Sequence, residues 1–274
     1  MKEKKSRISI LRNGELPDRV PIILSLSSYT PKMLEISAEE FYLNPKTAFE
    51  ANSWVQEMFP SDSEIGYTVP DSICMDFGGE VYFGKDSLEC PKSVRIPART
   101  EEELLKLKVP NPYTAPGISR EFEYAKIRKK NGLSGAGMAL SSPFRQSVEI
   151  IGMENLMRWM RKKPELVHHT CKMVVEYSIK KAEMYIKEFG TEGLSNAFSY
   201  PMESHHLISA QAFKEFSAPY ALELHKRLMQ MGVKQFSEHL CGNHKNNFWF
   251  WREELNLPKH TLASVGTELS LQEV

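Results

Sequence analysis

Val233-Lys234-Gln235-Phe236-Ser237-Glu238-His239-Leu240-Cys241-Gly242-Asn243 is the stretch on which both fold and site turn. Val233 to Ser237 reads as a short strand, and side chains on a strand alternate between its faces. His239 and Cys241 therefore point the same way, about 6.6 Å apart along the backbone. An imidazole and a thiolate at a strand end can hold a zinc ion and leave one position open for substrate. Two ligands do not make a site, and a packed pair with no metal is the simpler reading of the residues alone. A third ligand has several sources: His244, giving His-x-Cys-x-x-His; Glu203, His205 or His206 from the preceding strand end; or a residue absent from this chain.

Outward from that strand, apolar runs of four to seven residues alternate with helical patterns. Pro164 to Phe189 is the strongest helix, with Leu166, Val167, Cys171, Val174, Val175, Ile179, Ala182, Tyr185 and Ile186 at a 3.6-residue period and Gly190 as its stop. Strands are expected at Val20, near Asp71–Phe83, and at Gly132, Leu194, Gln235 and Leu262. Strand-helix alternation of this kind predicts an α/β protein built on a parallel sheet, either a barrel or open. About six of the eight units of a barrel are present, so a barrel would be incomplete at the C-terminus. The expected organisation is one domain over residues 1–274. Within it, 1–18 form an N-terminal surface segment and 91–130 a surface excursion, Pro- and Gly-rich at 108–120. Four strand ends finish in polar residues: Ser25 to Tyr29, Ser141-Ser142, Glu203 to His206, and His239 to Cys241. Together they favour a pocket.

Composition sets broad limits. The chain has 274 residues, 41% of them hydrophobic, enough to bury a sizeable core. Lys+Arg and Asp+Glu are both 35, which removes any global electrostatic case for nucleic acid or an anionic membrane. No apolar run approaches the ~20 residues a membrane helix needs. The N-terminus is charged without an apolar stretch behind it, so a soluble cytoplasmic protein is expected. The four cysteines form no CxxC pair and read as thiols.

Asp18-Arg19-Val20-Pro21, Ser142-Pro143-Phe144, Ile208-Ser209 with Phe213 through Pro219, and above all His239-Leu240-Cys241-Gly242-Asn243 resemble the uroporphyrinogen decarboxylase superfamily. The branch they resemble is that of the corrinoid-dependent methyltransferases. The resemblance implies a (β/α)8 TIM-type barrel, whose active site lies at the strand ends. It implies zinc held by the His and Cys of the motif, here His239 and Cys241, with a second Cys from the last strand region that has no counterpart in this chain. The chain is accordingly expected to lack the C-terminal part of the barrel.

The implied reaction moves a methyl group between methylcobalamin, carried by a separate corrinoid protein, and a thiol or similar acceptor, in one-carbon metabolism. Tyr29, Asp71, Ser141, Ser142, Glu203, His205 and Asn243 are the candidate substrate-binding residues. An unfilled barrel exposes strand edges, so pairing into a homo-oligomer is a further expectation. Two alternatives stand beside this reading. One is a decarboxylase-type lyase, which calls for arginines at the pocket mouth; none occurs between Arg19 and Arg95. The other is a non-catalytic, truncated corrinoid-binding barrel.

Overall fold

A computed structural model describes residues 6–24, 26, 28–59, 61–62, 66–84, 89–133, 136–192, 194–259, 261–268 and 272. Ser25 and Ser27, part of one polar strand end expected above, lie outside the described residues. The chain divides into two compact units. One comprises Met1–Pro70, Tyr82–Lys92 and Arg120–Leu133, the other Asp71–Val81, Ser93–Ser119 and Ser134–Val274.

The second unit carries the sheet. β3 (Ala136–Ala139), β4 (Leu194–Ser199), β5 (Gln235–Leu240) and β6 (Leu262–Val265) lie side by side in sequence order, every pair parallel. Parallel neighbours need long crossovers, and helices supply them. Pro143–Lys162 and Pro164–Phe189 connect β3 to β4, and Ala218–Gln230 connects β4 to β5. The Pro164–Phe189 helix buries Leu166, Val167, Cys171, Val174, Val175, Ile179, Ala182 and Tyr185 of the stripe its periodicity predicts, and Ile186 is half-buried.

Alternation divides the sheet into two faces. Met138, Asn196, Phe198, Phe236, Glu238 and Leu240 are buried on one of them. Glu238 meets His225 of the Ala218–Gln230 helix there, Oε1 to Nε2 at 3.2 Å, while His225 Nδ1 donates to the Ala221 carbonyl at 2.7 Å. The other face carries mostly small or polar residues, Gly137, Ala139, Ala197, Ser199, Ser237, His239 and Ser264, with Leu262 beside Ser237. Gly137, Ala197, His239 and Ser264 are exposed.

The first unit is helical. Ser37 caps Ala38–Leu43 by accepting from Glu40 N at 3.1 Å, and Asn44 caps Pro45–Met58 by accepting from the Lys46 and Thr47 amides. Tyr67 stacks on Tyr124 with ring centroids 4.7 Å apart, and Asn52 Nδ2 donates to the Tyr124 hydroxyl at 3.0 Å. The helix Arg7–Arg12 has no buried residue.

Three expectations change. Val20–Leu24 forms no strand: Val20, Ile22 and Ile23 are 81%, 53% and 60% exposed. Pro21 has no amide to give a ladder, and the Ile22 and Leu24 amides donate to the Asp62 carboxylate and the Ser61 hydroxyl instead. Asp71–Phe83 contributes a short helix, Ser72–Asp76, and β1 (Glu80–Tyr82). β1 pairs with β2 (Lys92–Arg95) in a separate two-stranded sheet. Four parallel strands, not six, therefore stand among the described residues, and the sheet they form is open. Residues 91–130 hold more structure than a surface excursion. The Thr100 capping box starts Glu101–Lys106, Pro116–Lys130 is helical, and Leu104, Ala115, Ile118, Tyr124 and Ala125 are buried.

Candidate functional site

The C-terminal ends of β3 to β6 lie in one row. Ser199 pairs in register with His239, and His239 with Ser264. Past the end of β3, Ser141 Oγ donates to the Ser199 carbonyl at 2.7 Å and Ser142 N donates to it at 3.2 Å. Ser141, Ser199, His239 and Ser264 thus cross the sheet as one rung, with strands about 4.8 Å apart. His239 is exposed, and its Nδ1 lies 2.7 Å from Ser264 Oγ. Cys241, two residues further on, is an exposed free thiol. His239 leaves the face opposite Glu238 and Leu240, and Cys241 follows just past the strand end.

Gly242 makes the turn after Cys241 with φ of 89°, and a Cβ there would lie 2.7 Å from Ser204 Oγ. That hydroxyl accepts the Asn243 amide at 3.0 Å, and the His205 amide donates to the Asn243 carbonyl at 2.8 Å. Gly242→Ala is expected to cost about 1–3 kcal/mol, since it adds backbone strain and a steric clash together. Urea denaturation measures this, and a loss within error of zero would contradict the tight turn.

The other candidates occupy different places. Asn243 Oδ1 accepts the Lys245 amide, a turn role. His244 is fully buried against Trp251, its Nε2 donating to the Cys241 carbonyl at 3.0 Å, and burial lowers its pKa. It braces the loop and does not join His239 and Cys241. His205 is half-buried and His206 exposed. Asp71 stands at the N-cap of Ser72–Asp76 with φ of 51°, yet its carboxylate accepts the Ser93 amide and hydroxyl at 2.9 and 2.7 Å. Tyr29 belongs to the other compact unit and is half exposed.

Glu203 is fully buried behind the serine rung. Its Oε1 accepts from the hydroxyls of Ser142 and of Ser217, the latter at 3.0 Å, and Asn247 Nδ2 donates to its carbonyl at 3.3 Å. Burial pushes its pKa up to about 7, and the hydrogen bonds from Ser142 and Ser217 restrain the rise. Ser142 also caps Pro143–Lys162 by accepting from Arg145 N at 2.9 Å. Arg145 pairs with Glu149, whose Oε2 accepts the Ile73 amide at 3.2 Å.

Ser199, Ser217, Ser264 and Arg145 are absent from the sequence-based candidates. Arg145 has a local signal, three residues after a Ser-Pro helix start. The serines have none: cross-strand register brings in Ser199 and Ser264, and Ser217 comes from the helical segment Phe213–Ser217.

His239 and Cys241 are the nitrogen and sulfur donors zinc takes, and the contact at His239 Nδ1 leaves Nε2 available as a ligand. No cluster of three or more His, Cys, Asp or Glu able to hold a metal occurs among the described residues. By donor type alone the pair could fill two positions of a zinc site, and a third ligand does not join them among the described residues.

The family model for uroporphyrinogen decarboxylase matches residues 3–271. A solved structure described as a methyltransferase from Methanosarcina mazei has a similar fold. Its TM-score is 0.74 at 19% identity, over 92% of this chain and 73% of that one. No curated protein matches. Open as its sheet is, the chain has the α/β fold of that structure, and with the family match this assigns it to the TIM-barrel architecture. The chain belongs to the uroporphyrinogen decarboxylase family.

Proposed function

We propose that this family member is a methyltransferase, moving a methyl group between a corrinoid carried by a partner protein and a small thiol-type acceptor. His239 and Cys241 supply two ligands of a zinc ion in this reading. The observation that carries it is their shared exposure at the C-terminal end of β5. The methyltransferase named among similar folds adds support. Zinc, when bound, polarises an acceptor sulfur and makes its thiolate available at neutral pH. Cys241 would hold such an ion through its sulfur, as a thiolate ligand. The hydroxyls of Ser199 and Ser264 flank His239 in the rung and offer hydrogen bonds to the polar part of an acceptor.

Metal analysis of the purified chain tests the reading. Zinc content is expected near one equivalent in the wild type and near zero in Cys241→Ala and His239→Ala. Equal zinc in all three would remove the pair as a metal site. Methyl transfer from methylcobalamin to a thiol should be lost in both variants. The family description favours a second reading, a lyase acting on a tetrapyrrole carboxylate. Turnover of that substrate by metal-free protein would replace the first reading with the second.

A further inference from the structure

We propose that Ser264 is a positioning residue for His239, an inference that rests on the zinc reading above. In this assignment its hydroxyl oxygen accepts the Nδ1 proton and holds the imidazole in the tautomer whose lone pair is on Nε2. His239 and Ser264 are register partners on adjacent parallel strands, so their side chains leave the same face. Nδ1 and Oγ are 2.7 Å apart, a full hydrogen bond. A neutral imidazole carries one proton on either nitrogen, and it coordinates through the other. A partner that accepts at Nδ1 therefore selects Nε2 for the metal.

The hydroxyl is held where this requires it. β6 is tied to β5 by parallel pairing from Ser237↔Leu262 to Leu240↔Val265. Just beyond, Gly266 packs so closely on the Gly242 carbonyl that a Cβ would collide with it. The end of β6 is thus fixed against the turn that follows Cys241. On its other side, the His239 carbonyl accepts the Tyr200 amide at 3.0 Å, so β5 is held from both flanks.

The test uses the full chain labelled with 15N-histidine, as wild type, Ser264→Ala and Ser264→Thr. Imidazole 15N shifts of metal-free protein report the His239 tautomer, and zinc titration against a competing chelator reports affinity. The Nδ1–H tautomer is expected in the wild type and a mixture in Ser264→Ala, with zinc binding weakened about 10- to 100-fold. Ser264→Thr, which keeps the hydroxyl, should restore both. Equal tautomer populations in wild type and Ser264→Ala, or an Nε2–H wild type, would overturn the role of Ser264. Equal zinc affinity in wild type and Ser264→Ala would do the same. A wild type that binds no zinc would instead remove the metal reading, and the tautomer measurement would still decide the assignment of Ser264.

Discussion

Glu203→Gln is expected to flatten the pH dependence of stability, removing a loss of about 3 kcal/mol that the wild type suffers between about pH 5 and pH 8. The Glu203 carboxyl is fully buried, and burial lifts its pKa from 4.5 to about 7. Between those values the folded chain holds a proton that the unfolded chain has released. The stability this group contributes is therefore complete below pH 4.5 and falls as the pH rises toward 7, where the buried carboxylate ionises. At about 1.4 kcal/mol per pH unit, the interval is worth about 3 kcal/mol. Gln cannot ionise, and its carbonyl can still accept from Ser142 and Ser217. Urea denaturation at the two pH values separates the cases. Parallel losses in wild type and Glu203→Gln would show that Glu203 does not titrate across this range.

Local pattern made some of this molecule readable and register hid the rest. The stripe from Leu166 to Tyr185 follows from a 3.6-residue period, and His239 lies on the face opposite Glu238 and Leu240 because a strand has a period of two. Both rules act within one element. Val20–Leu24 shows their limit. A continuous apolar run is also what a covered parallel strand looks like, and which it becomes depends on whether a partner strand takes its amides. Here Ser61 and Asp62 take two of them.

The same limit applies at the site. Glu203, Ser142 and Ser217 are far apart in sequence, and they meet because the ends of β3 and β4 are level and the chain folds back after Ser209. His244 shows the converse. Its spacing from Cys241 suits a metal ligand, but the turn at Gly242 points its ring at the Cys241 carbonyl.

Asp76→Ala is expected to be the most destabilising single change proposed, at about 3–5 kcal/mol, because it removes the shared acceptor of three buried donors. Asp76 ends the Ser72–Asp76 helix and is buried. Its carboxylate accepts the Gly117 amide, the Ile118 amide at 3.1 Å, and the hydroxyl of Tyr177. Gly117 and Ile118 lie in the first turn of Pro116–Lys130, where amides have no partner within the helix. Tyr177 belongs to the Pro164–Phe189 helix and is itself buried. One side chain therefore satisfies donors from two other helices, and alanine would leave each of them without it, at about 1–3 kcal/mol apiece. Tyr177→Phe separates this account from a simple cavity. Alone it should cost about 1 kcal/mol, whereas in the Asp76→Ala background, where that hydrogen bond is already gone, it should cost less. Additive losses in that double-mutant cycle would mean that Tyr177 and Asp76 do not depend on one another.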